Sequence, residues 1–177
     1  MKEYEFILKF DLSDAEEDPD RYVDALYEAG CDDASVGIGQ KGRIALDFTR
    51  EASSAFSAVS SAIADVKKAI PNARLIEATP DLVGLTDISE IIGCTRQNIQ
   101  KMVAANRSVF PSPIHEGSMA IWHLYKVLAW FKSKGSYEID DSLIEVSSAN
   151  MQFNIARQMR DIDPTAQSHI RSMAHSL

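Results

Sequence analysis

Five polar residues lie where a single helix would display them together to a nucleic acid. Ile99, Met102 and Val103 recur at helical spacing and predict the buried side of that helix. At about 100° per residue, the polar residues Gln97 and Lys101 point away from the core, Asn98 and Gln100 flank them, and Arg96 lies at the border. Their side chains have the donors and acceptors that pair with base edges in the major groove. A solvated helix in a small bundle carries the same residue types, so this face alone leaves both interpretations open.

A second predicted helix lies directly before the first and suggests a helix-turn-helix. Its apolar positions recur at helical spacing and are Leu85, Ile88, Ile91 and Ile92. Thr86 is its candidate N-cap, and Gly93 is expected to end it because glycine readily takes a positive φ. Thr95 then begins the next helix. Two short helices joined by a short turn with glycine form the helix-turn-helix pattern, in which the second helix lies in the major groove.

The segment Arg107–Gly117 contains prolines and a glycine, which favour an extended hairpin or wing over a helix. Helical spacing then returns at Trp122, Leu124, Val127, Leu128 and Phe131. The order of TRQN at residues 95–98, FPSP at 110–113 and VLAWF at 127–131 resembles the AlpA/excisionase-like winged-helix regulators of the MerR superfamily. The resemblance covers residues 81–134.

This resemblance implies that the second helix enters the major groove and that the wing touches the DNA backbone or the minor groove. It carries over to Thr95, Arg96, Gln97, Asn98 and Lys101, and to the wing around His115 to Ser118. With the helix face and the wing combined, the predicted DNA-binding residues are Thr95, Arg96, Gln97, Asn98, Gln100, Lys101, Arg107, His115 and Ser118. Family wings often carry arginine, whereas this one reads IHEGSMAI and contains Glu116.

The charge of the chain is unevenly distributed. The formal net charge is −8 over 177 residues, which taken globally argues against DNA binding. Residues 1–79 hold nine Lys/Arg and sixteen Asp/Glu, and residues 136–177 hold three and six. Residues 80–135 hold six Lys/Arg and four Asp/Glu, so the helix-turn-helix pattern occupies the only non-negative segment. Because its charge of +2 gives weak nonspecific affinity, we expect a homodimer that binds two half-sites of double-stranded DNA.

Residues 1–79 predict the order β-α-β-β-α-β of a ferredoxin-like domain. The predicted elements are a strand at residues 4–10, a helix from Asp18–Pro19 to Gly30, a hairpin over 34–48 turning at 39–42, a helix over 56–70 and a strand at 73–78. The acidic run from Asp14 to Asp20 could bind a divalent cation, but it lacks the glycine and terminal glutamate of a calcium loop. A solvated loop that starts the helix is the preferred interpretation.

Residues 136–177 predict a connector, one long helix and a tail. Ser142 and Glu145 form a candidate capping box at the start of the helix. Its apolar residues fall near a heptad seam at Ile144, Met151, Ile155 and Ile162. This helix could pack against a symmetry mate or fold back on the ferredoxin-like unit, and we favour dimerisation. Beyond Pro164 we expect a frayed helix or a loose tail.

The chain shows no residue pattern that is typical of an enzyme or a metalloprotein. Four histidines lack metal-ligand spacing, namely His115, His123, His169 and His175. Cys31 and Cys94 have no CxxC partner, so reduced thiols are predicted, and Cys94 is expected to be a small buried residue. No cofactor is indicated. Because the chain begins with a charged segment and contains no long apolar run, we expect a cytoplasmic protein without a membrane span.

The sequence therefore predicts an α+β protein with three parts. These are a ferredoxin-like βαββαβ domain at 1–79, a mainly helical winged helix-turn-helix domain at 80–135, and a C-terminal helix and tail at 136–177. The favoured function is a sequence-specific transcriptional regulator, as a dimeric repressor. The alternatives are an antitoxin or another protein-binding module, whose acidic N-terminal domain neutralises a protein partner, and an excisionase-like architectural factor.

Overall fold

The computed structural model describes residues 1–12, 18–37 and 40–173 of a mixed α+β chain, which confirms the predicted class. The first part of the chain holds β1 (Lys2–Asp11), a 3-10 turn (Pro19–Tyr22), α1 (Val23–Ala29), β2 (Ala34–Gly37), β3 (Arg43–Ala52), α2 (Ala55–Ala69) and β4 (Arg74–Thr79). The second part holds β5 (Leu82–Val83), α3 (Leu85–Ile92), α4 (Arg96–Ala105), β6 (Trp122–His123) and α5 (Leu124–Lys134). The chain continues with α6 (Asp141–Gln158), a 3-10 turn (Met159–Asp161) and α7 (Pro164–Met173).

A four-stranded antiparallel sheet in the order β2-β3-β1-β4 organises the first part. Side chains of β1 alternate as predicted, because successive residues of a strand point to opposite faces. Tyr4, Phe6, Leu8 and Phe10 are buried on one face, whereas the other face of the strand begins with the exposed Glu3 and Glu5. Within the part of the chain that the structure describes, the sheet is therefore covered on one side only.

Three helices, α1, α2 and α6, contribute to the core on the covered side. Val146 and Ala149 of α6 are buried among the sheet and α2 residues, and Phe153 stacks on Phe56 at a centroid distance of 5.0 Å. The C-terminal helix thus folds back on the sheet, the second of its two predicted arrangements. Ile155 and Ile162 remain exposed, and pairing with a second chain stays a prediction.

A second hydrophobic cluster joins α3, α4, α5 and the short β5–β6 pair. Its buried residues are Val83, Ile88, Ile99, Phe110, Trp122, Leu124, Val127, Leu128 and Phe131. Leu143 and Ile144 of α6 pack against this cluster, while Val146 belongs to the first one. One helix therefore contributes to both cores.

The starts of two helices differ from the sequence-based expectation. Thr86 is not the N-cap of α3: the cap is Gly84, whose N–H donates to the Asp87 carboxylate at 2.7 Å. The N-cap of α6 is Asp140, which accepts from the Ser142 N–H at 2.9 Å, so the predicted Ser142–Glu145 capping box is wrong. In both cases a nearby aspartate satisfies the free N–H groups of the first turn.

Glu145 instead connects α6 to the first strand. Its carboxylate accepts a hydrogen bond from the Tyr4 hydroxyl at 2.6 Å and pairs with Lys2 at 3.0 Å. The hydrogen bond from Tyr4 is the main cause that lowers the pKa of Glu145.

Ile91, expected on the buried stripe of α3, is 37% exposed because that short helix buries only its Ile88 side.

Arg50 holds β3, α2 and the segment after α1 together. Its guanidinium donates to both carboxylate oxygens of Asp33 at 2.6 and 2.9 Å, and to Asp65 at 2.8 Å. Burial is the main cause that raises the pKa of the neighbouring Cys31 thiol to about 11, followed by the Asp65 carboxylate. Arg50 therefore has a structural role, because its buried guanidinium is fully paired with groups of the protein itself.

Two predicted features fall on residues that the structure does not describe. The hairpin turn at 39–42 includes residue 39, and most of the acidic run, at residues 14–17, is likewise outside the described ranges. The flanking parts agree with the expectation, since Asp18 caps the 3-10 turn and β2 pairs antiparallel with β3. None of the helices in the described ranges combines the length and the apolar character that a membrane span requires.

The packing of α6 on the sheet can be tested with a truncation in its buried face. Val146→Ala removes two buried methyl groups, so we expect a loss of about 2 kcal/mol in the free energy of unfolding. Gln152→Ala, on the exposed side of the same helix, should change it by less than about 0.5 kcal/mol. Urea unfolding of the full chain measures both. If the two variants lowered the free energy of unfolding equally, the packing of α6 on the sheet would be contradicted.

The two thiols should differ in reactivity. Iodoacetamide at pH 8 is expected to modify the partly exposed Cys94 first, since only thiolates react and Cys31 is both buried and raised in pKa to about 11. The thiolate fraction of Cys31 at pH 8 is on the order of one thousandth. Peptide mass mapping of the native and urea-unfolded chain checks this. Native labelling of Cys31 at the rate of Cys94 would show that the site is open to solvent.

Candidate nucleic-acid interface

The helix α4 carries the predicted contact residues, and its two ends are defined by side-chain caps. Thr95 is the N-cap, as expected, and its hydroxyl accepts a hydrogen bond from the Asn98 N–H at 3.2 Å. At the other end, the Asn106 side chain donates to the carbonyl of Met102 at 2.8 Å. These caps satisfy backbone groups that the helix leaves free and fix which residues occupy the first turn.

The turn between α3 and α4 sets the direction of α4. Gly93 has a φ of 72°, which lies in the left-handed region, and ends α3 as predicted. The N–H of Cys94 donates back to the carbonyl of Ser89 at 2.9 Å, so the turn is closed by a hydrogen bond. Ile88 and Ile99 are fully buried in the same cluster, and their packing holds the two helices against each other.

The outward side of α4 is polar and open to solvent. Ile99 is fully buried and Met102 and Val103 are partly buried, which confirms the predicted inward side. All nine predicted DNA-binding residues are exposed, namely Thr95, Arg96, Gln97, Asn98, Gln100, Lys101, Arg107, His115 and Ser118. Five of them project from consecutive turns of one helix, and the other four flank it in the cap, the following segment and the predicted wing.

The predicted wing is a short closed loop without helix. Ile114 donates its N–H to the carbonyl of Ile121 at 2.8 Å, and Ile121 donates to the carbonyl of His115 at 3.0 Å. Residues 116–120 form the tip between these bonds, and Met119 there is 69% exposed. The chain then runs directly into β6, which pairs with β5. The loop is thus attached to a strand pair of the second cluster.

Aromatic packing fixes the segment between α4 and the loop. The ring of Phe110 meets Trp122 and Trp130 edge to face, at centroid distances of 6.1 and 4.9 Å. The indole N–H of Trp122 donates to the carbonyl of Pro111 at 3.0 Å. This explains why FPSP and the following tryptophans occur together: the prolines extend the chain, and the aromatic rings hold it in place.

The positive charges of this part divide into paired and unpaired groups. Lys132 pairs with Asp141, and Lys134 lies over the Trp130 ring at 5.1 Å. Among the described residues, the basic side chains of this part that have no such partner are Arg96, Lys101, Arg107 and Lys126. Three of these four belong to the predicted contact set. The available cations are therefore concentrated on α4 and the segment after it, where they can meet phosphates or guanines.

A buried polar network joins this unit to the sheet, and sequence reasoning missed it. The Asp81 carboxylate, with no exposed side-chain surface, lies 2.7 Å from His123 Nδ1 and accepts from the Asn154 amide at 2.8 Å. Asn154 also bonds the N–H and the carbonyl of Ala78, each at 2.8 Å. His123 thus connects β6 to the linker after β4.

The sequence contains one signal that could have indicated this network. Asn150 and Asn154 are spaced at i and i+4 on the side of α6 that also carries Val146 and Ala149. Amides on an otherwise apolar helix face need buried partners, because an unpaired polar group there is costly. Asn150 donates to the carbonyl of Pro80 at 3.2 Å, so both amides bind the linker. Their partners lie 70 or more residues away in the chain.

No group of three or more His, Cys, Asp or Glu side chains within the described residues is arranged to hold a metal ion.

A scan against protein-family models, and searches of curated proteins and solved structures, found no significant match to this chain. The resemblance to AlpA/excisionase-like regulators and the DNA-binding residues therefore stay predictions, which rest on the residues and on the geometry described above.

The polar network predicts a large effect of one amide on stability. Asn154→Ala leaves the Ala78 N–H and carbonyl without partners and removes a donor to the buried Asp81 carboxylate, so we expect a loss of about 3 kcal/mol on unfolding. Gln152→Ala, exposed on the same helix, is the matched control and should cost less than about 0.5 kcal/mol. Urea titration monitored by circular dichroism measures both. A cost equal to that of the control would show that these groups are satisfied without Asn154.

Proposed function

We propose that the chain is a sequence-specific DNA-binding regulator that acts as a dimeric repressor. In this proposal, a ferredoxin-like βαββαβ domain precedes a winged helix-turn-helix domain, and α4 is the recognition helix. The observation that carries it is the exposed polar side of α4, which is presented by a capped helix packed through Ile99. The strand order β2-β3-β1-β4, with the elements β-α-β-β-α-β, supports the ferredoxin-like assignment.

The proposed binding mode follows from the positions of the side chains along α4. Arg96 and Gln97 lie in the first turn, where a recognition helix usually meets base edges. Lys101 lies about one turn further on and, as a compact charge, suits a phosphate. The wing around His115 and Ser118 would lie along the backbone or the minor groove. Its Glu116 makes it a weaker electrostatic partner than α4.

In this proposal, dimerisation supplies the DNA-binding affinity that a single copy lacks. The three cations of the interface that are unpaired within the described ranges, Arg96, Lys101 and Arg107, give a modest phosphate contribution, so two half-sites read together are needed for tight and specific binding. Ile155 on α6 and Ile162 after it remain exposed once α6 has packed on the sheet, and these two residues are the candidate contacts between copies. The dimer axis would then lie near the C-terminal end of α6, outside the α4 surface.

The binding mode makes different predictions for the three α4 side chains. An operator is first selected from random duplexes with the full chain, and binding to operator and scrambled DNA is then measured by fluorescence anisotropy over a salt titration. Arg96→Ala and Gln97→Ala should each cost about 1–3 kcal/mol on the operator and little on scrambled DNA. Lys101→Ala should weaken binding to both and make the log–log salt slope shallower by about one unit.

Lys67→Ala is the matched control, because Lys67 is an exposed lysine on α2 outside the proposed surface. It should reproduce the binding and the salt slope of the parent chain. Circular dichroism confirms that every variant is folded. If selection enriches no sequence, or if all variants bind both DNAs as the parent does, α4 is not a recognition helix. The protein-binding alternative would then be preferred.

A further inference from the structure

The first strand of the sheet has a free edge along its N-terminal half. β1 pairs with β3 over its whole length, from Lys2 to Asp11, but with β4 only from Ile7 onward. β4 stops at Thr79 because Pro80 has no N–H to continue the ladder and the next residue, Asp81, is drawn into the buried network. Residues 2–6 therefore have no strand neighbour on that side among the described residues.

The backbone groups along this edge point outward. In the sheet, the Leu12 N–H donates to the Gly42 carbonyl, so the even-numbered residues of β1 direct their backbone groups toward β3. Odd-numbered residues then direct theirs the other way, and Ile7 and Lys9 use them to pair with β4. The N–H and carbonyl groups of Glu3 and Glu5 consequently face the free side, where they have no described strand partner.

A groove of about 560 Å³ runs along the free edge. Its walls are β1, the start of α6 at Ser142, Leu143 and Val146, and the linker at Thr79 and Pro80. The start of α6 is held in place there by Glu145, which binds Lys2 and Tyr4 of the same strand. The groove is thus bounded by β1, the start of α6 and the linker, and is open where an additional strand would lie.

Among the residues that the structure describes, the charged side chains lining this groove are all acidic. They are Glu3, Glu5, Asp47 and Asp140. Asp140 serves as the N-cap of α6, whereas the other three have no hydrogen-bond or ion-pair partner among the described residues. The nearest basic residue along β1, Lys2, is already paired with Glu145 at 3.0 Å. An occupant of this groove must therefore bring its own positive charge.

We propose that the free edge of β1 binds an extended, lysine- or arginine-rich segment of a partner protein, which adds a strand to the sheet. Main-chain bonds to Glu3 and Glu5 supply the pairing, and the carboxylates of the groove select basic side chains. This interaction is independent of DNA binding, since its residues lie on the sheet and α6. It assigns the acidic N-terminal part of the chain a specific protein-binding role.

Charged side chains at a free strand edge also protect a protein against pairing with itself. A protective role and a binding role for this edge make one common prediction, which is that two copies of the acidic edge repel each other. The repulsion disfavours a second copy of the same strand and leaves a basic strand as the complementary occupant. A purely protective edge, however, would not bind any extended peptide, and this difference can be measured.

The test uses the full chain and a fluorescein-labelled peptide of about eight residues, alternating lysine and threonine, which spans the edge when extended. Fluorescence anisotropy should show saturable binding. Glu3→Gln combined with Glu5→Gln should weaken it about tenfold, because two of the selecting charges are lost. Asp24→Asn combined with Glu28→Gln removes the same charge from the exposed side of α1 and should change it by less than about twofold.

A proline separates the main-chain contribution from the charge. Glu5→Pro removes both the carboxylate and the outward N–H but leaves the β1–β3 ladder intact, whereas Glu5→Ala removes only the carboxylate. The proline variant should bind the peptide about tenfold more weakly than the alanine variant. Hydrogen exchange on the parent chain provides a second measurement, in which the peptide should slow exchange of the Glu3 and Glu5 amides. It remains decisive if the proline variant does not fold.

Three results would overturn the proposal. Absence of peptide binding would show that the edge is only protective. Equal binding by the parent and all variants would show attraction to the net charge of the chain. The third result would be that spermidine displaces the peptide as well as unlabelled peptide does, while Glu5→Pro and Glu5→Ala bind the peptide with equal affinity. This would show that the groove holds a small cation and that no strand is added.

Discussion

The buried carboxylate of Asp81 is the constraint on which the relation between the two cores depends. A carboxylate out of contact with water is costly unless hydrogen bonds replace its hydration, and Asn154 and His123 provide them. The backbone carbonyl of Asp81 also accepts from the Leu124 N–H at 2.6 Å. The linker after β4 is therefore bound to α6, β6 and α5 at once, and it joins the two clusters as a fixed connection.

The same constraint explains the composition of α6. One side of this helix packs on the sheet through Val146 and Ala149, its N-terminal turn packs on α5 through Leu143 and Ile144, and its amides bind the linker. A helix with partners in several directions has no single apolar stripe. Of the residues with heptad-like spacing, Ile144 packs against the second cluster, whereas Ile155 and Ile162 remain exposed.

Local patterns predicted the elements, whereas long-range partners could not be predicted. Alternation in β1 and the buried Ile99 side of α4 are set by the period of the backbone, so the strands, the helices and the exposed residues of α4 follow from them. The Asn154–Asp81 bond joins residues 73 apart, and the i, i+4 spacing of Asn150 and Asn154 indicates buried amides without identifying their partners. The Thr86 cap predicted for α3 is wrong for a related reason: Asp87 accepts from the backbone of Gly84, which has no side chain to indicate a cap.

Binding to DNA and the strong acidity of the first part of the chain are compatible. At physiological ionic strength, charges further than about 8 Å from a phosphate are largely screened, so the total charge matters less than the charges in contact. Within the proposed interface, Arg96, Lys101 and Arg107 have no acidic partner among the described residues. The free carboxylates of Glu3 and Glu5 line a groove formed by β1, α6 and the linker. Acidity there would discourage DNA from contacting the sheet and would favour approach through α4, so charge separation would orient the chain on a duplex.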